Sequence, residues 1–314
     1  MRPPSTWSNR LVGAILAAVG AVTCAAALNG CSRHVSTDER LSPPNDAASP
    51  AALDPVCGGM PCELFESPAE AFARVLEARP RVLAVGETHP RQGVDAKSTA
   101  ARFVEELLPT LDGRASDLVV ELWVAKSGCA ARQRAEVRAV ASAQREVTQA
   151  QAPKNQSDFL RLYTAGRAHG LHVHLLVPPC DEYGKILDAG LGDVDAMLTM
   201  IANLTANEIE AGLAAPDAGL VVAYGGAMHN DLTPRPGHGR WSFGPRVAAM
   251  AQGSYVELDL VVPEAVHDTE AWQAQPWYPH FRRGRQGRRT LLFRVQKGSY
   301  ALIFPEAAAD AGAD

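Results

Sequence analysis

Five short apolar runs decide what this chain can become. They are "RVLAV" from Arg81, "DLVVELW" from Asp117, "LHVHLLV" from Leu171, "GLVVAYGG" from Gly219 and "SYVELDLVV" from Ser254. They are rich in β-branched residues and nearly continuous in apolar character, the pattern of strands buried on both faces. Helical periods fill the gaps. "SPAEAFARVLEA" from Ser67 opens with a capping box, Ser67 and Glu70. Further helical segments start at Ser98, Ala130, Ser157, Asp193 and Phe243. The one from Ala130 is long and highly charged, and the one from Ser157 stops at Gly170. "TLLFRVQKGSYALIFP" from Thr290 reads as a terminal hairpin about Lys297-Gly298. Strands separated by helices predict an α/β fold with a mostly parallel sheet flanked by helices. Two helical patterns between the second and third strands predict a helical insertion, and the hairpin closes the domain.

The N-terminus is not part of that fold. Arg2 and Arg10 precede an apolar run from Leu11 to Leu28, and "LNGC" follows. This is the order of a secretory signal. "LNGC" resembles a bacterial lipobox, cleaved before Cys31, which is then lipidated. Eighteen residues rich in Ala and Gly are near the lower limit for a membrane span, so the lipoprotein reading is preferred over a transmembrane anchor. The expected organisation is a signal peptide over 1–30, a disordered tether over 31–60, one α/β domain over 61–305 and a loose tail over 306–314. The tether is rich in Ser, Pro, Asp and Ala without an apolar period. The expected location is a bacterial cell envelope, lipid-anchored and facing the periplasm or the exterior.

Loss of residues 1–30 leaves 28 basic and 35 acidic residues, a net charge of −7. A nucleic-acid binder is usually basic, so none is expected as a partner. "HFRRGRQGRR", from His280 to Arg289, is a local exception with five arginines. It reads as a solvated loop in preference to a phosphate or headgroup patch. An export route permits disulfides. Cys57 with Cys62 and Cys129 with Cys180 are the pairings considered, among the three connectivities that four cysteines allow.

In a parallel sheet, ligands bind beyond the carboxyl ends of the strands. The first strand ends in Glu87 and His89, the second contains Glu121, and the fourth leads to His229. Glu121 interrupts an apolar run, and a buried carboxylate is costly unless paired. Gly86, Gly225 and Gly226 adjoin these residues and would let the backbone turn or a ligand approach closely. Glu87, His89, Glu121 and His229 are therefore expected to cluster around one point, within about 8 Å, a loose allowance around metal–ligand distances. His172 and His174 share one face of the third strand as an H-x-H zinc half-site, but they lie early in it. A satisfied polar pair beneath a helix is the preferred reading. No G-x-S-x-G, P-loop, dinucleotide fingerprint or EF-hand spacing appears.

"GETH" (Gly86–His89) and "GAMH" (Gly226–His229) resemble the G-E-x-H and G-x-x-H signatures of one superfamily. It joins erythromycin esterases, TraB and Tiki proteins and ChaN-like haem-binding lipoproteins. Glu121 closing the second strand is a further match, and the resemblance runs from about Arg81 to Val262. Its branches imply different chemistry. A Tiki-like member would hold Mn, Co or Zn on Glu87, His89, Glu121 and His229 and polarise a water. An erythromycin-esterase-like member would be a metal-free hydrolase with His89 as general base. A ChaN-like member would bind haem through an axial ligand, with His89, His229 and Tyr224 as candidates. The expectation is an exported lipoprotein, anchored in the membrane, that takes a small-molecule or peptide ligand. It would bind haem or a divalent metal, with or without hydrolase activity. The alternatives are a metal-free ester hydrolase and a catalytically inactive scaffold.

Overall fold

The computed structural model describes residues 57–307 except 90–92, 95, 125, 127, 129–133, 137–138, 140–154, 190–193 and 217. The signal, Cys31, most of the tether, Cys129, most of the charged helix from Ala130 and the end of the tail therefore lie outside the described residues.

Eight strands form one sheet: β1 (Cys62–Phe65), β2 (Val82–Glu87), β3 (Ala115–Trp123), β4 (His172–Leu176), β5 (Leu220–Gly226), β6 (Tyr255–Val261), β7 (Thr290–Gln296) and β8 (Ser299–Ile303). Their order is β1-β7-β8-β6-β2-β5-β3-β4. β4, β3, β5, β2, β6 and β8 run parallel, while β7 lies antiparallel between β8 and β1. The fold is therefore α/β with a mostly parallel sheet and a C-terminal hairpin, as the sequence predicts. β1 adds an edge strand that the sequence did not reveal. "CELF" is four residues long, too short for a period to stand out.

Helices cover both faces. On one lie α1 (Pro68–Leu76), the segment that starts with α2 (Thr99–Arg102), and α3 (Asn155–Ala168). They pack Phe72, Phe103, Leu107, Phe159 and Leu162 against Leu83, Val85, Leu118, Val120, Val222 and Tyr224. On the other lie α5 (Asp195–Ala214), which follows the short α4 (Glu182–Ala189), and α7 (Gly244–Met250), which follows the single turn α6 (Ala227–Asn230). There Ile201, Ala206, Ile209 and Val247 cover Val82, Ala84, Val119, Val221 and Ala223. The alternation between faces is the period-2 rule of strands.

The helix expected from Ser98 is not regular. After α2, Phe103–Leu107 form a π turn and Leu108–Leu111 a 3₁₀ turn. Pro109 has no N–H to give the carbonyl four residues back, which accounts for the break in α-helical bonding there. Ser98 Oγ caps α2 by accepting from Ala101 N at 3.1 Å, and it donates to Asp158 Oδ2 of α3 at 2.6 Å.

At the N-terminal side, Cys57 and Cys62 form a disulfide across a turn, with Cα atoms 5.6 Å apart. Cys57–Met60, which the sequence assigned to the tether, are thus ordered, and Met60 joins the apolar cluster of Trp277, Phe281, Leu291 and Phe293. Cys180 is also in disulfide linkage; Cys129, the partner considered from sequence, is outside the described residues.

Phe103 is fully buried, with its ring centroid 6.1 Å from that of Phe72 and 4.9 Å from that of Tyr224. Phe103→Ala should lower stability by about 3–5 kcal/mol in urea unfolding, whereas Leu160→Ala should change it by less than about 0.5 kcal/mol, because Leu160 is half-exposed. Equal effects would contradict the packing described.

Candidate functional site

β2 and β5 are neighbours, in register Gly86 with Gly225 and Glu87 with Gly226. Their carboxyl ends therefore bring the two sequence motifs side by side. Glu87 points to the same face as Val85 and Tyr224, and its side chain is fully buried. Both of its oxygens are engaged. Oε1 accepts from His89 Nδ1 at 2.8 Å, and Oε2 accepts from the Tyr224 hydroxyl at 2.5 Å. His89 remains a quarter exposed and stacks edge-on against Phe159, with ring centroids 5.8 Å apart.

The second arm comes from β3 and α6. Glu121 Oε2 accepts from the backbone N–H of Gly226 at 2.7 Å, and Oε1 lies 3.8 Å from His229 Nε2. His229 Nδ1 donates to the Trp241 carbonyl at 2.6 Å. A carbonyl only accepts, so Nδ1 carries a proton and Nε2 is the nitrogen turned toward Glu121. Gly226 marks the meeting point. A Cβ there would stand 3.3 Å from His89 Nε2, 3.6 Å from His229 Cδ2 and 3.7 Å from Glu121 Oε2.

The glycines act by close approach within strands, not by turning the chain. A Cβ on Gly225 would lie 2.9 Å from Glu121 Cβ and overlap its carboxylate. A Cβ on Gly86 would lie 2.6 Å from Asp259 Oδ1, 2.7 Å from Asn230 Nδ2 and 2.7 Å from Ala227 Cα. Asn230 needs that space. Its Nδ2 donates to Ala84 O and to Asp259 Oδ1, each at 3.2 Å. Tyr255 OH donates to Asn230 O at 2.5 Å, and the single Ser242 hydroxyl lies between the carbonyls of Asp231 at 2.7 Å and His229 at 3.1 Å and can donate to either. The segment that carries His229 is thus clamped from β2, β6 and the loop after Trp241.

Charge is distributed unevenly across the sheet edge. Burial opposes the charged form of His89, but the hydrogen bond to Glu87, the charge of Glu87 and that of Glu121 outweigh it and raise the pKa to about 8. Burial, then the Glu87 charge, hold Tyr224 well above its ordinary range, so it stays a donor. On the opposite face, burial and the charge of Glu257 lift Asp231 to about 7 against the pull of Arg235. Burial likewise raises Glu257 and holds Asp259 well above the usual carboxylate range.

All four residues expected from the sequence meet here. Tyr224, considered there as a haem ligand, lies enclosed beneath Glu87 with its hydroxyl engaged, and His229 is buried as well, whereas His89 keeps exposed surface. The two imidazole Nε2 atoms and the Glu121 carboxylate suit a divalent ion as donor types. Among the described residues, no group of three or more His, Cys, Asp or Glu side chains is disposed to hold a metal ion. His172 and His174 lie elsewhere. His174 sits between Asp117 Oδ1 at 2.7 Å and Glu208 Oε2 of α5 at 3.4 Å, whereas His172 is exposed and 3.9 Å from Asp117 Oδ1, so only one of the two is the satisfied histidine expected. The Trp241 carbonyl could not be read from the residues, since a backbone acceptor has no residue signature. Nor could the pairing of Tyr224 with Glu87, because that requires the register of β2 on β5.

No protein-family model matches the chain, and no curated protein matches it in sequence. A solved structure, described as that of the type III effector HopBA1, aligns over 79% of this chain and 98% of its own, at 11% identity and a TM-score of 0.38. That likeness is too slight to bear on fold or function.

His89 and Asp231 both bind protons more tightly in the folded chain. Each therefore adds stability that is complete at low pH and lost as pH rises. For Asp231 the loss runs from its ordinary 3.8 up to about 7, and for His89 from 6.5 up to about 8. The thermal midpoint should fall between mildly acidic and mildly alkaline buffer. Glu87→Gln should lower the His89 pKa, read by NMR of its ring, and remove the alkaline part of the fall, roughly 2 kcal/mol at most. A midpoint that rises over this range would contradict the assignment.

Proposed function

We propose that this protein is an envelope-anchored lipoprotein that hydrolyses an ester without a metal, using His89 as general base. One observation carries the reading: the Glu87–His89 hydrogen bond, with the other Glu87 oxygen held by Tyr224. A base held in place by a carboxylate, with its second nitrogen facing an open position, is the general arrangement for activating a nucleophile. Glu87 fixes the imidazole so that Nε2 faces Gly226. Neutral His89 there takes a proton from the attacking water. His89 then gives that proton to the leaving alkoxide, and His229, its ring fixed by the Trp241 carbonyl, lines the same point. Glu121 is tied to the Gly226 N–H and orients His229 or the water. Met228, nearly half-exposed beside His229, offers an apolar contact for the substrate. The superfamily that "GETH" and "GAMH" resemble includes an erythromycin-esterase-like branch with this chemistry, and the lipobox-like "LNGC" supports the location.

A divalent-metal hydrolase of the Tiki kind is the second reading. The donor types present around Gly226, on His89, His229 and Glu121, are those such an ion takes. Haem held by His89 or His229 is the binding-protein counterpart.

One preparation separates the three. Turnover of a chromogenic ester should survive chelation and rise with pH through about 8, the His89 pKa. It should fall about 10²–10⁴-fold in His89→Ala, the usual contribution of a positioned acid or base. In Glu87→Gln the pH profile should shift to lower pH. Activity lost on chelation and restored by Mn, Co or Zn would replace this reading with the metal enzyme. A Soret band lost in His89→Ala or His229→Ala would replace it with haem binding. No turnover, no metal and no haem would leave a scaffold.

A further inference from the structure

The ring of His229 is set by the bond from its Nδ1 to the Trp241 carbonyl at 2.6 Å. That bond decides which nitrogen faces Glu121 and Gly226, so the direction of the imidazole depends on where Trp241 is held. Trp241 ends a 3₁₀ turn, Gly239–Trp241, reached through an open stretch in which Thr233, Arg235, Pro236 and Gly237 are exposed. Its side chain is partly buried and stacks on His238, with ring centroids 4.2 Å apart and planes at 22°. His238 opens the same turn, so the stack stiffens the turn without fastening it to the domain. The bond from Phe243 N to His229 O at 2.8 Å holds the chain two residues further on.

The fastening comes from α5. Trp241 Nε1 donates to Asp195 Oδ1 at 2.6 Å, and Arg240 Nη1 lies 3.1 Å from Asp195 Oδ2. Two consecutive residues of the turn are thus held by the two oxygens of one carboxylate, and hydrogen bonds to a charged acceptor are the stronger kind. Asp195 is the first residue of α5, where the helix dipole favours a negative charge. α5 is itself fixed to the sheet through Ile201, Ala206 and Ile209. We infer that Asp195 is a positioning residue for His229: it holds Trp241 so that the carbonyl keeps the proton on His229 Nδ1 and the Nε2 lone pair faces Glu121 and Gly226. The bond made by one ring nitrogen selects what the other can do, and outer partners of this kind matter nearly as much as the groups they orient. The inference rests on the proposed site for its effect on turnover, whereas the ring state of His229 can be read without any reaction.

The test uses the full chain labelled with ¹⁵N-histidine, with the His229 ring signals assigned by their loss in His229→Gln. At mildly alkaline pH the wild-type ring should carry its proton on Nδ1. In Asp195→Ala the form protonated on Nε2 should appear. Trp241→Phe keeps a ring and the carbonyl but lacks the indole N–H, and it should do the same, so the test stands even where Asp195→Ala fails to fold. Asp195→Asn keeps an acceptor for the indole and should retain the wild-type form. In ester turnover, kcat should fall about 10–100-fold in the alanine and phenylalanine variants with KM little changed, and Asp195→Asn should restore it. His89 ring signals that stay at their wild-type positions would show that the other arm is intact. An unchanged His229 ring in Asp195→Ala and Trp241→Phe would overturn the inference, as would a wild-type ring already protonated on Nε2. Absence of turnover in the wild type, with the ring changes as expected, would remove the hydrolase reading and leave the positioning role of Asp195 standing.

Discussion

Glu87 is a carboxylate with no exposed side-chain surface, placed where a central strand ends. A charge in that position is costly unless both its oxygens are satisfied and a counter-charge lies close. Much of the surrounding structure meets that demand. Tyr224 comes from β5, which must therefore lie directly beside β2, and its ring is held by Phe103 and Phe159 from the covering helices. His89 supplies the positive partner two residues along the chain. The irregular segment after α2 places Phe103 against Tyr224, so a distortion distant in sequence supports the carboxylate. Removing one partner of such an arrangement leaves the others mismatched, which is why it behaves as a unit.

The opposite face solves a different problem. His229 follows β5 and must be brought back across the sheet edge. Gly86 and Gly225, side by side in adjacent strands, leave the room for this. Glu121 fills the space above Gly225, and Asn230 with Asp259 fills the space beside Gly86. The two arms approach from opposite faces and meet only at the edge, at Gly226. This gives the two imidazoles different surroundings: one paired with a buried carboxylate, the other bonded to a backbone carbonyl.

The strand ends, the glutamate inside "VVELW" and the two histidine motifs were legible in the sequence because each breaks a local pattern. A polar residue in an apolar run stands out without knowledge of its neighbours. The glycines were visible, but their reason was not. They allowed either a turn or the close approach of a ligand, and it is close approach that they serve, to the side chains opposite them. What stayed hidden depends on register or on backbone atoms: the Tyr224–Glu87 bond, the Trp241 carbonyl and the four-residue β1. "STAARFVEELLPTL" was legible as a helix by its period, but Pro109 altered the bonding without altering the period. The Cys57–Cys62 pairing raised from the sequence does form, but Cys57–Met60 had been assigned to the tether, because a short disulfide loop packed on Trp277 and Phe281 needs little apolar sequence of its own.

In the proposed reaction the Glu87–His89 pair would have both to hold the fold and to serve as the base. The interaction that raises the His89 pKa to about 8 favours the charged ring, which strengthens the buried pair at neutral pH. A general base must be neutral, so only the fraction of molecules that has released this proton is competent. Tightening the pair would add stability and reduce that fraction, while loosening it would free the base and expose Glu87 to an unpaired burial. Tyr224 eases the conflict, because its hydroxyl continues to satisfy one Glu87 oxygen when His89 becomes neutral. A neutral His89 can still donate Nδ1–H to the other oxygen, so the geometry survives the loss of charge and only the Coulombic part is given up. The same carboxylate that anchors the strand end can therefore orient a base without collapsing when that base changes its charge.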